Sequence, residues 1–96
     1  MDEGARNTVE EHLRDFLAKR EPPKTLCPSE VARALSAEEL NSLGHANWRD
    51  AMPSIREVAW RLRAEGVCEV MQKGNPVPQN IHLEDITGPI RLRRPT

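Results

Sequence analysis

The chain has 96 residues, a length that supports one small domain with a single hydrophobic core. Charged residues make up 30% of it and apolar residues 38%, as in a soluble globular domain, and no apolar run is long enough to span a bilayer. The polar, acidic start is unlike a signal peptide, so we expect a cytoplasmic protein with no membrane contact.

The net charge of −1 argues against a general nucleic-acid-binding protein, which usually carries a basic excess. The charge is uneven, because residues 1–50 hold 7 Lys/Arg and 10 Asp/Glu whereas residues 51–96 hold 7 and 5. The basic balance therefore lies in the second half of the chain.

The first predicted helix lies in "NTVEEHLRDFLAKREPPK". Thr8 and Glu11 have the spacing of a capping box, which predicts the start of the helix there and leaves residues 1–7 as a flexible end. Pro22 and Pro23 predict its end. The apolar residues of this segment recur with helical spacing on one stripe. They are Val9, Leu13, Phe16 and Leu17.

Shorter elements are predicted next. The segment Lys24–Cys27 is β-prone and predicts a small strand. Pro28 suits the first turn of a helix in "CPSEVARAL". Ser36 and Glu39 form a second capping box, which predicts a short helix that Gly44 ends.

The last long helix is predicted in "MPSIREVAWRLRAEG". Pro53 suits its first turn. Gly66 lies just after its predicted end, where a glycine in the left-handed conformation commonly terminates a helix. Its apolar stripe predicts the face that packs on the core, with Trp60 pointing away. The stripe consists of Ile55, Val58, Ala59 and Leu62.

Two strands are predicted at the end of the chain, in "VCEVMQK" and "GPIRLRR", with turn residues in "GNP". Apolar and basic residues alternate in the return strand. Ile90 and Leu92 are expected to point inward, and Arg91 and Arg93 outward. The connection 77–89 is long for a hairpin, so we expect a loop-rich wing and not a tight two-residue hairpin. Its "NIHLEDI" predicts a short turn with Ile81 or Ile86 packed inward.

This order of elements predicts a mainly α, α+β fold, a winged helix-turn-helix with three main helices and a C-terminal wing. It forms a single domain over residues 1–96, with 94–96 as a second flexible end. The predicted core comprises Leu13, Phe16, Leu17, Val31, Leu35, Ile55, Val58, Leu62, Val70 and Leu92.

A set of motifs supports the same fold: "CPSEVARAL", "WRxxMPxIR", "RLxxEG", "QKGxPV" and "GPIRLR". Together, over Leu13–Arg94, they resemble a bacterial family of short domains of unknown function. The resemblance implies a compact winged-helix module and brings no activity. The segments 36–47 and 78–87 are longer here than in the family's usual pattern, so they are expected to be loop insertions.

The leading hypothesis is a small DNA-binding or transcription-regulatory module with double-stranded DNA as its partner. In such a winged helix the last long helix enters the major groove, and the wing contacts phosphates beside it. The candidate DNA contacts on the helix are Ser54, Arg56, Arg61 and Arg63, and those on the wing are Lys73, Asn75, Arg91 and Arg93. Alternatively, the basic residues of the return strand only keep an exposed strand edge soluble.

The second hypothesis is a protein-interaction or structural module without nucleic-acid binding. Trp60 is unusual for reading a groove, and the neighbouring Glu57 would repel phosphate. An outward aromatic residue more often marks a protein contact or a cover formed within the chain. The Trp60 face is therefore a candidate contact for a homodimer or another protein partner.

Nothing in the sequence predicts an enzyme. It has no Gly-rich phosphate loop, no nucleophile elbow and no obvious Ser/His/Asp set, so no catalytic residues are assigned. Cys27 and Cys68 lack paired spacing, and the three histidines are scattered, so neither a metal site nor a cofactor is expected. Both cysteines are predicted to be free thiols.

Overall fold

Four α-helices precede a small antiparallel sheet in the computed structural model, which describes residues 2–95. The helices are α1 (Glu3–Lys19), α2 (Pro28–Ala34), α3 (Ala37–Ser42) and α4 (Met52–Ala64). The strands are β1 (Glu69–Gln72), β2 (Asn75–Pro76) and β3 (Arg91–Arg93). Short 3-10 turns cover Trp48–Ala51 and Leu83–Asp85. The fold is α+β and compatible with a winged helix, as predicted.

The start of α1 differs from the prediction. Asp2 caps the helix, since its Oδ1 accepts a hydrogen bond from the Ala5 N–H at 2.7 Å, and Glu3 adds an acidic group to the first turn. Thr8 lies inside the helix and donates its hydroxyl to the Gly4 carbonyl at 3.1 Å. The predicted capping box at Thr8 is therefore wrong, because an acidic cap that lies further upstream satisfies the first backbone N–H groups.

Both predicted flexible ends have defined contacts where the structure describes them. Residues 3–7 belong to α1. Near the other end, Arg94 donates from Nε to the Arg20 carbonyl at 3.1 Å, which links the chain beyond β3 to the end of α1. Met1 and Thr96 lie outside the described residues.

The core lies between α1, α2 and α4 on one side and one face of the sheet on the other. The predicted core residues are buried, apart from Phe16, which is half-buried and packs against the others. A further residue of α4 and residues of the segments that connect the helices and strands complete this core. They include Leu26, Ala51, Ala59, Cys68 and Ile90.

The second capping box forms as predicted and joins α3 to α1. The Glu39 N–H donates to the Ser36 hydroxyl at 3.1 Å, and the Ser36 N–H donates to the Glu39 carboxylate at 2.8 Å. His12 of α1 also lies 3.0 Å from that carboxylate, through Nε2. The short α3 is thus held on α1 by a polar contact.

The sheet has the strand order β2-β1-β3, and a two-residue turn closes β1 onto β2. In that turn Lys73 has φ 51° and Gly74 has φ 82°, the left-handed pair that matches the twist of a tight hairpin. The expected loop-rich wing without a two-residue hairpin is therefore wrong. The predicted return strand still pairs with β1, with Val70 opposite Leu92, but on the other edge of β1.

A fourth chain segment pairs with this sheet at β3. Leu26 and Leu92 exchange two backbone hydrogen bonds of 2.8 Å, so the predicted strand Lys24–Cys27 is reduced to a single bridge. This bridge fixes the start of α2 against the sheet.

The connection 77–89 folds back over α4. Its 3-10 turn packs beside α4, and both Ile81 and Ile86 are half-buried against the core, in agreement with the predicted short turn. The connection thereby covers part of the α4 face that points away from the core.

A carboxylate network joins α2 to the end of α1. Glu30 accepts a hydrogen bond from the Cys27 backbone N–H at 2.8 Å and pairs with Arg20 through its other oxygen. The backbone bond from Cys27, followed by Arg20, holds the pKa of the Glu30 carboxyl below its ordinary value of 4.5. In the same way, the Ser36 backbone N–H and then His12 lower the pKa of Glu39.

These lowered pKa values predict a loss of stability in acid. A carboxyl with a lower pKa in the folded state stabilises the fold above its unfolded pKa, and this contribution disappears as the pH falls through the folded pKa. We expect Glu30→Gln to reduce the free energy of unfolding by on the order of 1 kcal/mol at pH 7 and by less at pH 3. Urea unfolding at both pH values measures this difference. Glu11→Gln, at an exposed position, is the control, and an equal loss at both pH values would contradict the assignment.

Candidate functional site

The outward face of α4 is partly closed by the chain itself. Trp60 is half-buried, and its indole N–H donates to the Ile81 carbonyl at 3.3 Å. The 3-10 turn Leu83–Asp85 packs beside the same helix. Of the roles expected for Trp60, the structure shows a cover formed within the chain.

Arg63 anchors this cover, so the expectation that its side chain lies on the outward face of α4 is wrong. Only 4% of the residue is exposed, and its guanidinium donates to the carbonyls of Val77 (3.4 Å) and Pro78. Its Cζ also lies 4.5 Å from the centroid of the Trp60 ring. Arg63 is three residues after Trp60 on α4, and the connection 77–89 passes over both side chains.

Arg61 is also engaged within the chain. It forms an ion pair with Glu10 of α1, and its Nε lies 3.4 Å from Glu65. Glu10 pairs in addition with Arg14 at 2.8 Å, and Arg14, followed by Arg61, lowers the pKa of Glu10 below its ordinary value. Arg61 therefore connects α4 to α1.

The two arginines of β3 differ in whether they pair with a carboxylate. Arg93 pairs with Glu69 on the neighbouring strand at 3.1 Å and is half-buried. Arg91 is exposed and donates to the Thr25 hydroxyl at 3.0 Å. Of this pair, Arg91 has no carboxylate partner within residues 2–95, so its charge remains available.

The remaining DNA-contact candidates lie at the hairpin or on α4. Lys73 and Asn75 are exposed at the hairpin, Ser54 is half-buried near the start of α4, and Arg56 lies 3.4 Å from the Gly88 carbonyl. A shallow depression is lined by Met71, Gln72, Lys73, Thr87, Gly88, Pro89 and Arg91. We call Arg56, Lys73 and Arg91 the wing edge, because all three surround or approach this depression.

A second depression lies between α4 and the 3-10 turn, and we call it the Trp60 groove. It is lined by Pro53, Glu57, Trp60, Leu83 and Glu84. Its apolar surface comes from three of these residues, while the two exposed carboxylates give it a negative rim. The sequence does not predict that Leu83 and Glu84 line this groove, because the spacing of apolar residues does not indicate where a loop packs.

A further cluster was also absent from the sequence-based candidates. Arg33 of α2 and Arg49 both stack on Trp48, with Cζ atoms 4.7 and 4.6 Å from the ring centroid. The only local signal is the adjacency of Trp48 and Arg49. Arg33 lies fifteen residues earlier in the chain, so only the fold brings it to the ring.

The candidate metal ligands and reactive groups within residues 2–95 are histidines, cysteines and carboxylates. Within residues 2–95, no group of three or more His, Cys, Asp or Glu side chains is placed to hold a metal ion. Cys27 is half-buried and Cys68 is buried, and both are free. Burial raises the pKa of the Cys68 thiol to about 11, which leaves it protonated and unreactive near pH 7. Over the same residues, no helix is long and apolar enough to cross a membrane.

Two arginines of α4 give a direct test of the covering contact. We expect Arg63→Gln to lower the free energy of unfolding by about 1–3 kcal/mol, since it removes a buried group that bonds two carbonyls. Arg56→Gln, the matched control on the same helix, should change it by less than about 0.5 kcal/mol. Urea unfolding and amide hydrogen exchange of residues 77–82 measure the effect. Equal losses in both variants, or unchanged exchange in Arg63→Gln, would refute the anchoring role.

Comparison with known proteins identifies the family of the chain. No curated protein matches the chain. A family model described as a protein of unknown function, DUF3253, matches residues 6–95 and so confirms the predicted resemblance to a family of that kind. The chain therefore belongs to the DUF3253 family, whose function is unknown.

Proposed function

We propose that this domain is a protein-interaction module that binds a segment of another chain in the Trp60 groove. The observation that carries the proposal is the character of the outward face of α4. That face presents an apolar surface with a negative rim, where a DNA-reading helix would present cations.

Electrostatics favour a protein over a nucleic acid at this groove. Glu57 and Glu84 are exposed at its rim, and either carboxylate would repel a phosphate backbone. The two arginines nearest to Trp60 along α4 are bound elsewhere, Arg61 to Glu10 and Arg63 to the carbonyls of residues 77 and 78. Arg56, one turn before Trp60, is half-exposed but lies 3.4 Å from the Gly88 carbonyl and is not among the residues that line the groove. The five lining residues therefore include two carboxylates and no cation.

The shape of the groove defines the expected ligand. Its apolar lining from Pro53, Trp60 and Leu83 suits one inserted apolar side chain, and aromatic pockets of this kind often dominate binding energy. The flanking carboxylates suit Lys or Arg beside that anchor. The expected partner segment therefore carries one large apolar residue next to basic residues, and the role is a binding one without catalysis.

The test is a selection from a phage-displayed library of random dodecapeptides on the immobilised domain. We expect the enriched peptides to share an apolar residue flanked by Lys or Arg and to bind in the micromolar range. The double variant Glu57→Lys/Glu84→Lys should weaken the binding of these peptides at least about tenfold in fluorescence anisotropy, because it reverses the charge of the rim.

The matched control is Glu11→Lys/Glu38→Lys, which makes the same charge change at exposed positions of α1 and α3. It should leave the affinity within about twofold of the unmodified domain. Peptides without a shared basic residue, or peptides that bind the rim-reversed variant equally well, would overturn the proposal. Sedimentation at several concentrations distinguishes a foreign partner from a second copy of the chain.

Duplex DNA bound through the wing edge is the second candidate function. The observation in its favour is that Arg56, Lys73 and Arg91 approach one depression and have no carboxylate partner within residues 2–95. Three such cations can contact phosphates without inserting α4 into a groove. This candidate does not require the connection 77–89 to move.

Its test is the salt dependence of binding to a fluorescent duplex. The triple variant Arg56→Gln/Lys73→Gln/Arg91→Gln should lower the slope of log K against log salt by about 1 per cation removed. The control Arg14→Gln/Lys19→Gln, on exposed residues of α1, should keep the original slope. Absence of binding at low salt, or the same slope in the triple variant, would eliminate this candidate.

A further inference from the structure

Trp48 holds two guanidinium groups on the surface of α2 and the adjoining 3-10 turn. Arg33 and Arg49 place their Cζ atoms 4.7 and 4.6 Å from the centroid of the indole ring. Trp48 is half-buried and packs against the core, whereas both arginines are exposed. The ring therefore holds two positive charges beside it, one from α2 and one from the 3-10 turn.

The backbone beneath this cluster is held in position. The Asn47 side chain accepts hydrogen bonds from the N–H groups of Arg49 (3.0 Å) and Asp50 (3.3 Å), which caps the 3-10 turn. That turn packs directly against α2, which carries Arg33. The two arginines thus start from rigid elements, and the stacking on Trp48 further restricts their side chains.

Neither guanidinium has an ion pair or a hydrogen bond within residues 2–95, unlike Arg14, Arg20, Arg61 and Arg93, which all pair with carboxylates. The acidic residues nearest in sequence do not neutralise them. Glu30, one turn before Arg33 on α2, pairs with Arg20. Asp50 is exposed next to Arg49 and forms no ion pair with it. The cluster therefore keeps two positive charges whose N–H donors face solvent.

We propose that Arg33, Trp48 and Arg49 form a binding site for a phosphate monoester. A guanidinium stacked on a ring keeps its N–H edge free, and that edge matches the oxygen spacing of phosphate. A phosphate monoester has three terminal oxygens and nearly two negative charges at pH 7, so it can accept several N–H bonds and balance both positive charges beside the ring. A carboxylate has two oxygens and one charge, which satisfy a single fork. This site lies apart from the Trp60 groove and does not depend on the function proposed there.

The site can be tested by NMR, because the chain has only two tryptophans. The two indole N–H signals are assigned with Trp48→Phe, and the full-length domain is titrated with glycerol phosphate at constant ionic strength. We expect a saturable shift of the Trp48 signal while the Trp60 signal stays in place as an internal control of the fold. Arg33→Gln/Arg49→Gln should weaken the apparent affinity at least about tenfold, and each single variant less.

The matched control Arg14→Gln/Lys19→Gln removes the same charge from α1 and should leave the titration unchanged. The proposal fails if the Trp48 signal does not move, or if the double variant at Arg33 and Arg49 responds like the unmodified domain. Equal affinity for methyl sulfate would show that the second charge is not recognised. Equal affinity for a dinucleotide would show that the site takes a phosphodiester. Either result would overturn the assignment to a monoester.

Discussion

The burial of Arg63 constrains the rest of the surface. A guanidinium that is 4% exposed must find partners inside the fold, because an unpaired buried charge is strongly destabilising. Its partners are the carbonyls of Val77 and Pro78, with the Trp60 ring beside it. This requirement holds the connection 77–89 on α4, so the contact that stabilises the wing also decides which part of α4 remains accessible.

The arginines divide into structural and available groups. The side chain of Arg61 connects α4 to α1 through Glu10, and that of Arg93 connects β3 to β1 through Glu69. Arg33 and Arg49, by contrast, rest on an aromatic ring and keep their donors directed outward. In a chain whose net charge is only −1, the local surface potential therefore depends on which charges the fold leaves unpaired. The result is an acidic apolar groove and two separate basic areas.

Sequence patterns predicted the features that depend on neighbours along the chain. The capping box at Ser36 and the apolar stripe of α4 formed as expected, because their spacing specifies both the bond and the face. The start of α1 was misplaced because Asp2 and Thr8 are both capping residues, and spacing alone does not rank them. The tight hairpin was missed for two reasons. The long connection to the return strand suggested one wide loop, and the turn requires Lys73 to adopt a left-handed conformation, which few residues other than glycine take.

The sequence by itself determined the winged-helix order of elements, the core and the family resemblance, since each of these depends on local periodicity, turn residues and motifs. Only the tertiary structure decided which outward side chains are free. Arg63 and Arg56 look equivalent on a helical projection, but the connection 77–89 buries one and leaves the other half-exposed. Likewise, Arg33 meets Trp48 only because α2 packs against the turn before α4. Such contacts join residues far apart in the chain, and no local pattern encodes them.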